Sequence, residues 1–137
     1  MARFVTFYES AGRVRLQALQ KGVEIMSDCI FCKIAGGEIP TDFVYRDEDV
    51  VVFRDVAPQA PTHLLVIPRC HVASSAEVKD SAVWGALMGA AVKVALSLGL
   101  EKDGYRMVIN TGEGSGQTVP HLHIHLLSGR NFGWPPG

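Results

Sequence analysis

Most of the chain alternates short apolar runs with polar turns, and one long block near the middle repeats its apolar positions at helical spacing. Residues 43–45 and 50–54 read as strands joined by the acidic turn Asp47-Glu48-Asp49. Residues 55–61 carry Pro58 and Pro61 and read as a loop. Residues 63–67 read as a buried strand that Pro68 stops. Val83, Leu87, Ala90, Val94 and Leu98 share one helical face. Ser74 and Glu77 precede them at capping-box spacing, and Gly99-Leu100 follows them as a Schellman stop. Residues 105–110 and 121–127 read as two further strands, with Gly112, Gly114 and Gly116 in a flexible loop between them. A short helix over 29–35 is expected, capped by Ser27 or Asp28 and ended by Gly36-Gly37. Short turns between strands, with one long helix inserted, predict an α+β fold. The expected core is one antiparallel sheet of about five strands with one long and one short helix. Residues 1–26 show no clear period and read as a weakly ordered upstream extension, which would make Met26 the natural start, the rival reading being an accessory segment; 27–137 read as the single domain.

Composition narrows the function classes. The chain has 137 residues, 47% of them apolar and 20% charged, enough for a real core. Thirteen Lys and Arg against 14 Asp and Glu give a net charge of -1, without the basic surplus of a nucleic-acid binder. Three cysteines, an odd count in a chain that needs no staples, point to a reducing compartment, the cytoplasm. Residues 82–100 approach the length of a bilayer span, but Lys93 lies well inside, at a cost of roughly 3 kcal/mol on insertion scales. A soluble core helix is therefore expected and no membrane partner. Arg13, Arg15, Gln17 and Gln20 break any signal-peptide apolar stretch.

The candidate chemistry lies in His121-Leu122-His123-Ile124-His125-Leu126-Leu127. With 5 His in the chain, chance placement predicts about 0.003 such alternating triplets. In a strand the three imidazoles share one face, about 6.6 Å apart, while Leu122, Ile124 and Leu126 bury the other. Such a row suits a metal site or nucleophilic catalysis by histidine. The segment just upstream, residues 110–118, favours catalysis at phosphorus. Its glycines let backbone N–H groups approach anionic oxygens, and Gln117 and Thr118 add side-chain donors.

Residues 121–127 fit the signature of the histidine-triad (HIT) superfamily at every position, and the resemblance runs over about residues 29–137. It is closest to the Hint branch, the purine nucleoside phosphoramidases, through the 53–63 segment, Gly104-Tyr105-Arg106 and the ending Trp134-Pro135-Pro136-Gly137. The resemblance implies that His123 is the nucleophile, taking the nucleotidyl group at its α-phosphorus before water releases the nucleoside monophosphate. It implies that His125 and His63 contact the phosphate and that His121 orients the nucleophile. Asn110, Gly116, Gln117, Thr118 and Val119 would line the nucleotide site, Thr118 also as a catalytic hydroxyl. Asp55 would bind the ribose hydroxyls, and Ile30, Phe31, Ile34, Ile39, Phe53 and Val56 would form the base slot. An apolar slot suits a flat purine, a carboxylate suits two adjacent hydroxyls, and a P–N bond needs a proton donor near its leaving amine. Thr118 stands where better-known Hint members carry Ser, and Pro120 where an aromatic residue is common. The resemblance also implies a homodimer whose sheet continues across the interface.

Cys29-Ile30-Phe31-Cys32 has the spacing of half a zinc site. No second such pair exists, so a metal would need histidines, and Cys70 beside His71 complicates the choice. Two buried thiols, a redox pair or a vestigial site are the other readings. The resemblance implies zinc on Cys29, Cys32, His71 and His121, a closed and therefore structural set, with no cofactor needed for catalysis. The expected function is hydrolysis of nucleoside 5'-phosphoramidates. The alternatives are a dinucleoside polyphosphate hydrolase of the Fhit branch and a nucleotide-binding scaffold with incidental hydrolysis.

Overall fold

The computed structural model describes residues 28–137. The expected extension over 1–26 and the Ser27 cap lie outside the described residues. Helix α1 (Ile30–Ala35) leads into strands β1 (Phe43–Arg46), β2 (Val50–Arg54) and β3 (Thr62–Pro68). Helix α2 (Ala82–Ser97), β4 (Tyr105–Val108) and β5 (Ile124–Ser128) complete the chain. The strands form one sheet in the order β1-β2-β3-β5-β4, every neighbouring pair antiparallel. The α+β expectation therefore holds, with five strands and two α-helices among the described residues.

Period-two alternation explains why β2 and β3 read as nearly unbroken apolar runs. Val50, Val52, Leu64 and Val66 face one side with Leu122, Ile124 and Leu126, and Val83, Leu87, Ala91 and Val94 of α2 close over them. Val51, Phe53, Leu65 and Ile67 face the other side, against Phe31, Ile34 and Ala35 of α1. Both faces are covered, so both residue sets are apolar. The six residues of α1 cover only part of their face. The rest of that face, on β3 and the segment leading into β5, holds the histidines, with Phe31 packed against His121 and His123.

Several local expectations are corrected. Cys29 caps α1, its Sγ accepting the Cys32 N–H at 3.4 Å. Ser74 caps a one-turn 3-10 helix (Ser75–Glu77) and not α2. Asp80 starts α2 instead, its Oδ1 accepting the Ala82 N–H at 2.9 Å. Leu98 is 44% exposed beyond the last turn, and Ala91 and Ala95 take the buried positions. The last strand begins at Ile124 and not at His121. Pro120 has no N–H to give, the His121 N–H turns back to Val119 O, and the Leu122 N–H goes to Val72 O. The β5 ladder therefore starts after an extended lead-in. β4 likewise ends at Val108, short of Asn110. The glycine stops hold. Gly99 has φ +69°, its N–H bonds Leu96 O, and the Leu100 N–H bonds Ala95 O, a complete Schellman pair. Among the described residues, no helix is long and apolar enough to cross a membrane.

Candidate active site

The register of β3 on β5 brings the fourth histidine to the triad. His63 lies opposite Leu127, and Leu65 opposite His125. His63 and His125 are therefore diagonal neighbours on one face, with ring centroids 5.1 Å apart. The His123 ring stands 4.9 Å from that of His125, and Phe31 of α1 packs edge-on against both His121 and His123. The shared face inferred for the triad is present, even though His121 and His123 precede the regular strand.

Each ring is held by a partner that decides where its proton sits. The carbonyl of His121 accepts from His123 Nδ1 at 2.7 Å. A carbonyl only accepts, so the His123 proton is on Nδ1 and its Nε2 keeps a lone pair. The Gln59 backbone N–H donates to His63 Nδ1 at 3.0 Å. That places the His63 proton on Nε2, which lies 2.9 Å from His125 Nδ1 and 3.4 Å from Asp55 Oδ2. His125 Nδ1 then accepts, and its own proton sits on Nε2. Burial lowers the pKa of His63 and of His123, and holds His125 at about 4, with His123 and His63 adding to that shift. All three rings are neutral at pH 7.

His123 and His125 open on a cavity of about 260 Å³, and His63 is buried behind His125, outside its lining. Its apolar wall is Ile30, Phe31, Ile34, Phe53, Leu65 and Val119, and its polar wall is Asp55, Thr118, His123 and His125. Arg54 and the fully exposed Val56 complete the rim. Ile39 packs behind this wall with the second apolar cluster. Asn110, Gly116 and Gln117 stand outside it. The Gln117 side chain braces the glycine loop: Nε2 donates to Ala73 O and Val119 O, and Oε1 accepts the Gly112 N–H. Asp55 Oδ1 accepts the Ala57 N–H at 2.8 Å, which aims its second oxygen toward the cavity side. Leu65 and Arg54 were not anticipated. Period-two counting from His63 would have found Leu65.

At the other end of the row, His121 is fully buried and turns away from the cavity. Its Nε2–H donates to Pro68 O at 2.8 Å, so its Nδ1 carries the lone pair. That Nδ1 lies 3.4 Å from Cys29 Sγ and 3.6 Å from Cys32 Sγ, while His71 Nδ1 lies 3.5 Å from Cys32 Sγ. The four ligand atoms lie within 4.8 Å of one another. A tetrahedral zinc ion with ordinary bond lengths sets its sulfur and nitrogen ligands about 3.6 Å apart. The three observed spacings match that edge, and the donor set is the one zinc takes in closed sites. The Cys29 thiol is held far below its ordinary pKa, first by the Cys32 side chain, with His121 and His71 adding to the effect against burial. Cys70 lies elsewhere, against the α2 side of the core.

Asp55, His63 and His125 also bring three ligand atoms within 4.8 Å. That trio does not suit a metal. With Gln59 donating to His63 Nδ1, the proton on Nε2 blocks the atom that would coordinate.

Fold and site together define an α+β protein that presents a row of histidines beside a Cys/His cluster on one sheet face. The HIT domain family matches residues 36–132, and the chain belongs to that family. It is 49% identical over 115 residues to a 14 kDa zinc-binding protein of Zea mays, covering 81% of this chain and 89% of that one. Among solved structures it resembles a HIT family hydrolase from Legionella pneumophila, with TM-score 0.78 and 49% identity over 80% of this chain and all of that one. It also resembles a histidine triad nucleotide-binding protein from Candida albicans, with TM-score 0.70 and 30% identity over 80% of this chain and 85% of that one.

Proposed function

We propose that the protein hydrolyses nucleoside 5'-phosphoramidates, AMP or GMP joined to an amine, through a covalent nucleotidyl-histidine. One observation carries this reading. The His123 proton is pinned on Nδ1 by a backbone carbonyl, leaving a neutral Nε2 lone pair beside a cavity that pairs an apolar slot with a carboxylate. The purine would lie between Phe31, Ile34 and Phe53, and Asp55 would accept from the ribose hydroxyls. His123 Nε2 would form the N–P bond as the P–N bond to the amine breaks, and the amine would leave with a proton. Thr118 Oγ1 and His125 Nε2 are the proton-bearing groups on the wall. The bond from His123 Nδ1 to the His121 carbonyl would stabilise the charge that develops on the ring. Water would then attack phosphorus, the N–P bond would break, and the nucleoside monophosphate would leave.

The cluster of Cys29, Cys32, His71 and His121 is read as a structural zinc site, supported by its edge lengths and by the zinc-binding maize relative. All four tetrahedral positions are protein ligands, so a bound ion would tie α1 to the segment carrying His123. Residues 27–137 are read as the domain, working as a cytoplasmic homodimer paired through β4, the edge strand beside β5. Light scattering tests the dimer.

The deciding assay incubates the protein with an adenosine 5'-phosphoramidate and, separately, a diadenosine polyphosphate. Turnover of the first, abolished in His123→Ala, is expected. Preference for the second would replace this reading with a dinucleoside polyphosphate hydrolase. Turnover of neither would leave a nucleotide-binding scaffold.

A further inference from the structure

Arg130 lies outside the cavity yet reaches its histidines through one residue. Its Nε donates to the Gln59 carbonyl at 2.9 Å, and the N–H of Gln59 donates to His63 Nδ1 at 3.0 Å. Beside it, Gly129 lies against Pro61. A Cβ on Gly129, whose φ is +93°, would stand 2.8 Å from Pro61 Cβ. The 55–61 loop is thus clamped to the end of β5 at two neighbouring points. The clamp aims a single N–H at the histidine pair.

That N–H has leverage. A neutral imidazole carries one proton, so donation to His63 Nδ1 fixes the His63 proton on Nε2. Donation from there to His125 Nδ1, at 2.9 Å, fixes the His125 proton on its own Nε2. One backbone amide orders two tautomers in series. If Gln59 drifts away, the chain can run in reverse, with the His125 proton on Nδ1 donating to His63 Nε2, the His63 proton on Nδ1, and His125 Nε2 showing the cavity a bare lone pair. A bare lone pair repels a phosphoryl oxygen, whereas an N–H attracts it.

Arg106 provides the natural contrast. Both guanidiniums stack on Phe132, with Arg130 at 4.2 Å and Arg106 at 5.1 Å from its ring centre. Arg106 donates to Gly133 O in the tail, whereas Arg130 donates to the loop carrying Gln59.

We propose that Arg130 is a positioning residue: by holding the Gln59 carbonyl it keeps the Gln59 N–H on His63, and so fixes His125 as an N–H donor toward the substrate's phosphoryl oxygen. The phosphoryl part rests on the function proposed above; the tautomer part does not.

Long-range proton–nitrogen NMR of the imidazoles in the zinc-loaded protein reads the tautomers directly. Wild type should show His63 and His125 both protonated at Nε2. Arg130→Ala should show a mixed population at both rings. Arg130→Lys, which keeps a donor, should restore the wild-type pattern, and Arg106→Ala should leave it untouched. With the phosphoramidate, kcat of Arg130→Ala should fall about tenfold or more while KM moves less than about twofold. Should Arg130→Ala lose its fold, Arg130→Gln replaces it. An Nδ1-protonated His63 in wild type, or unchanged tautomers in the Arg130 variants, would overturn the proposal. If no phosphoramidate is turned over, the tautomer spectra still decide it.

Discussion

His121 and His123 are two residues apart and point to the same side of the sheet, yet they occupy opposite chemical situations. His121 has its Nε2–H on Pro68 O, and its lone pair faces the sulfurs of Cys29 and Cys32. His123 has its Nδ1–H on the carbonyl of His121, and its lone pair belongs to a cavity. His125 is a third case, since its Nδ1 accepts a proton and its Nε2–H is left to donate. Under the proposed function, identical side chains at a period of two would serve as a metal ligand, a nucleophile and a hydrogen-bond donor. The nearest acceptor or donor picks the tautomer, and the tautomer picks the role. The pair also shows why the two ends need each other. The His121 ring is fixed to the cluster while its backbone fixes His123, so anything that loosens the cluster loosens the His123 ring.

The largest expected effect removes the nucleophile. His123→Ala should lower phosphoramidate turnover by about 10³-fold or more, leaving metal content and melting temperature near wild type. Retained turnover would erase the distinction between the two ends. Cys32→Ser attacks the other end. It should lose the metal and lower stability by several kcal/mol, read by metal analysis and thermal melting. One zinc per chain in both wild type and Cys32→Ser would remove Cys32 from the ligand set. Thr118 grades the proton-bearing wall more finely. Thr118→Ala should lower kcat about tenfold, whereas Thr118→Ser, which keeps the hydroxyl, should stay within about threefold of wild type.

The smallest effect is in stability against pH. Burial lowers the pKa of His63, and that of His125 to about 4, both below the ordinary histidine value. The folded protein therefore binds fewer protons than the unfolded chain between those values. The stabilisation is complete above about pH 6.5 and is lost as pH falls toward 4. One pKa unit corresponds to about 1.4 kcal/mol at most, less for the partly exposed His125. Denaturant titrations at pH 7 and pH 5 should show the drop, and His125→Gln should reduce it. A pH-independent stability over that window would remove burial as the reason the rings are neutral.

Much of this molecule is legible along the chain, and the places where reading failed have common causes. Strands β1 to β3 and the face shared by the triad follow from period-two alternation, which a backbone in extended conformation enforces locally. The start of β5 was misplaced because Pro120 and the turn at Val119 send the first N–H groups elsewhere, a matter of partners in space. The α2 cap was misplaced for a similar reason. Ser74 has the right neighbours for a capping box, but the helix starts only where Asp80 meets Ala82. In the site, Cys29, Cys32, His71 and His121 do converge. The donor expected from Gln117 is instead spent on the carbonyls of Ala73 and Val119.

By itself the sequence determined the residue types and their spacing: which positions alternate, where glycine permits a left-handed stop, and that thiols and imidazoles are available for a metal and a nucleophile. Only the tertiary structure decided what each imidazole is. Its proton position depends on the His121 and Pro68 carbonyls and on the Gln59 N–H, backbone groups that nearly all residue types share and no side chain reveals. Their placement follows from strand register and loop path, which distant parts of the chain set together.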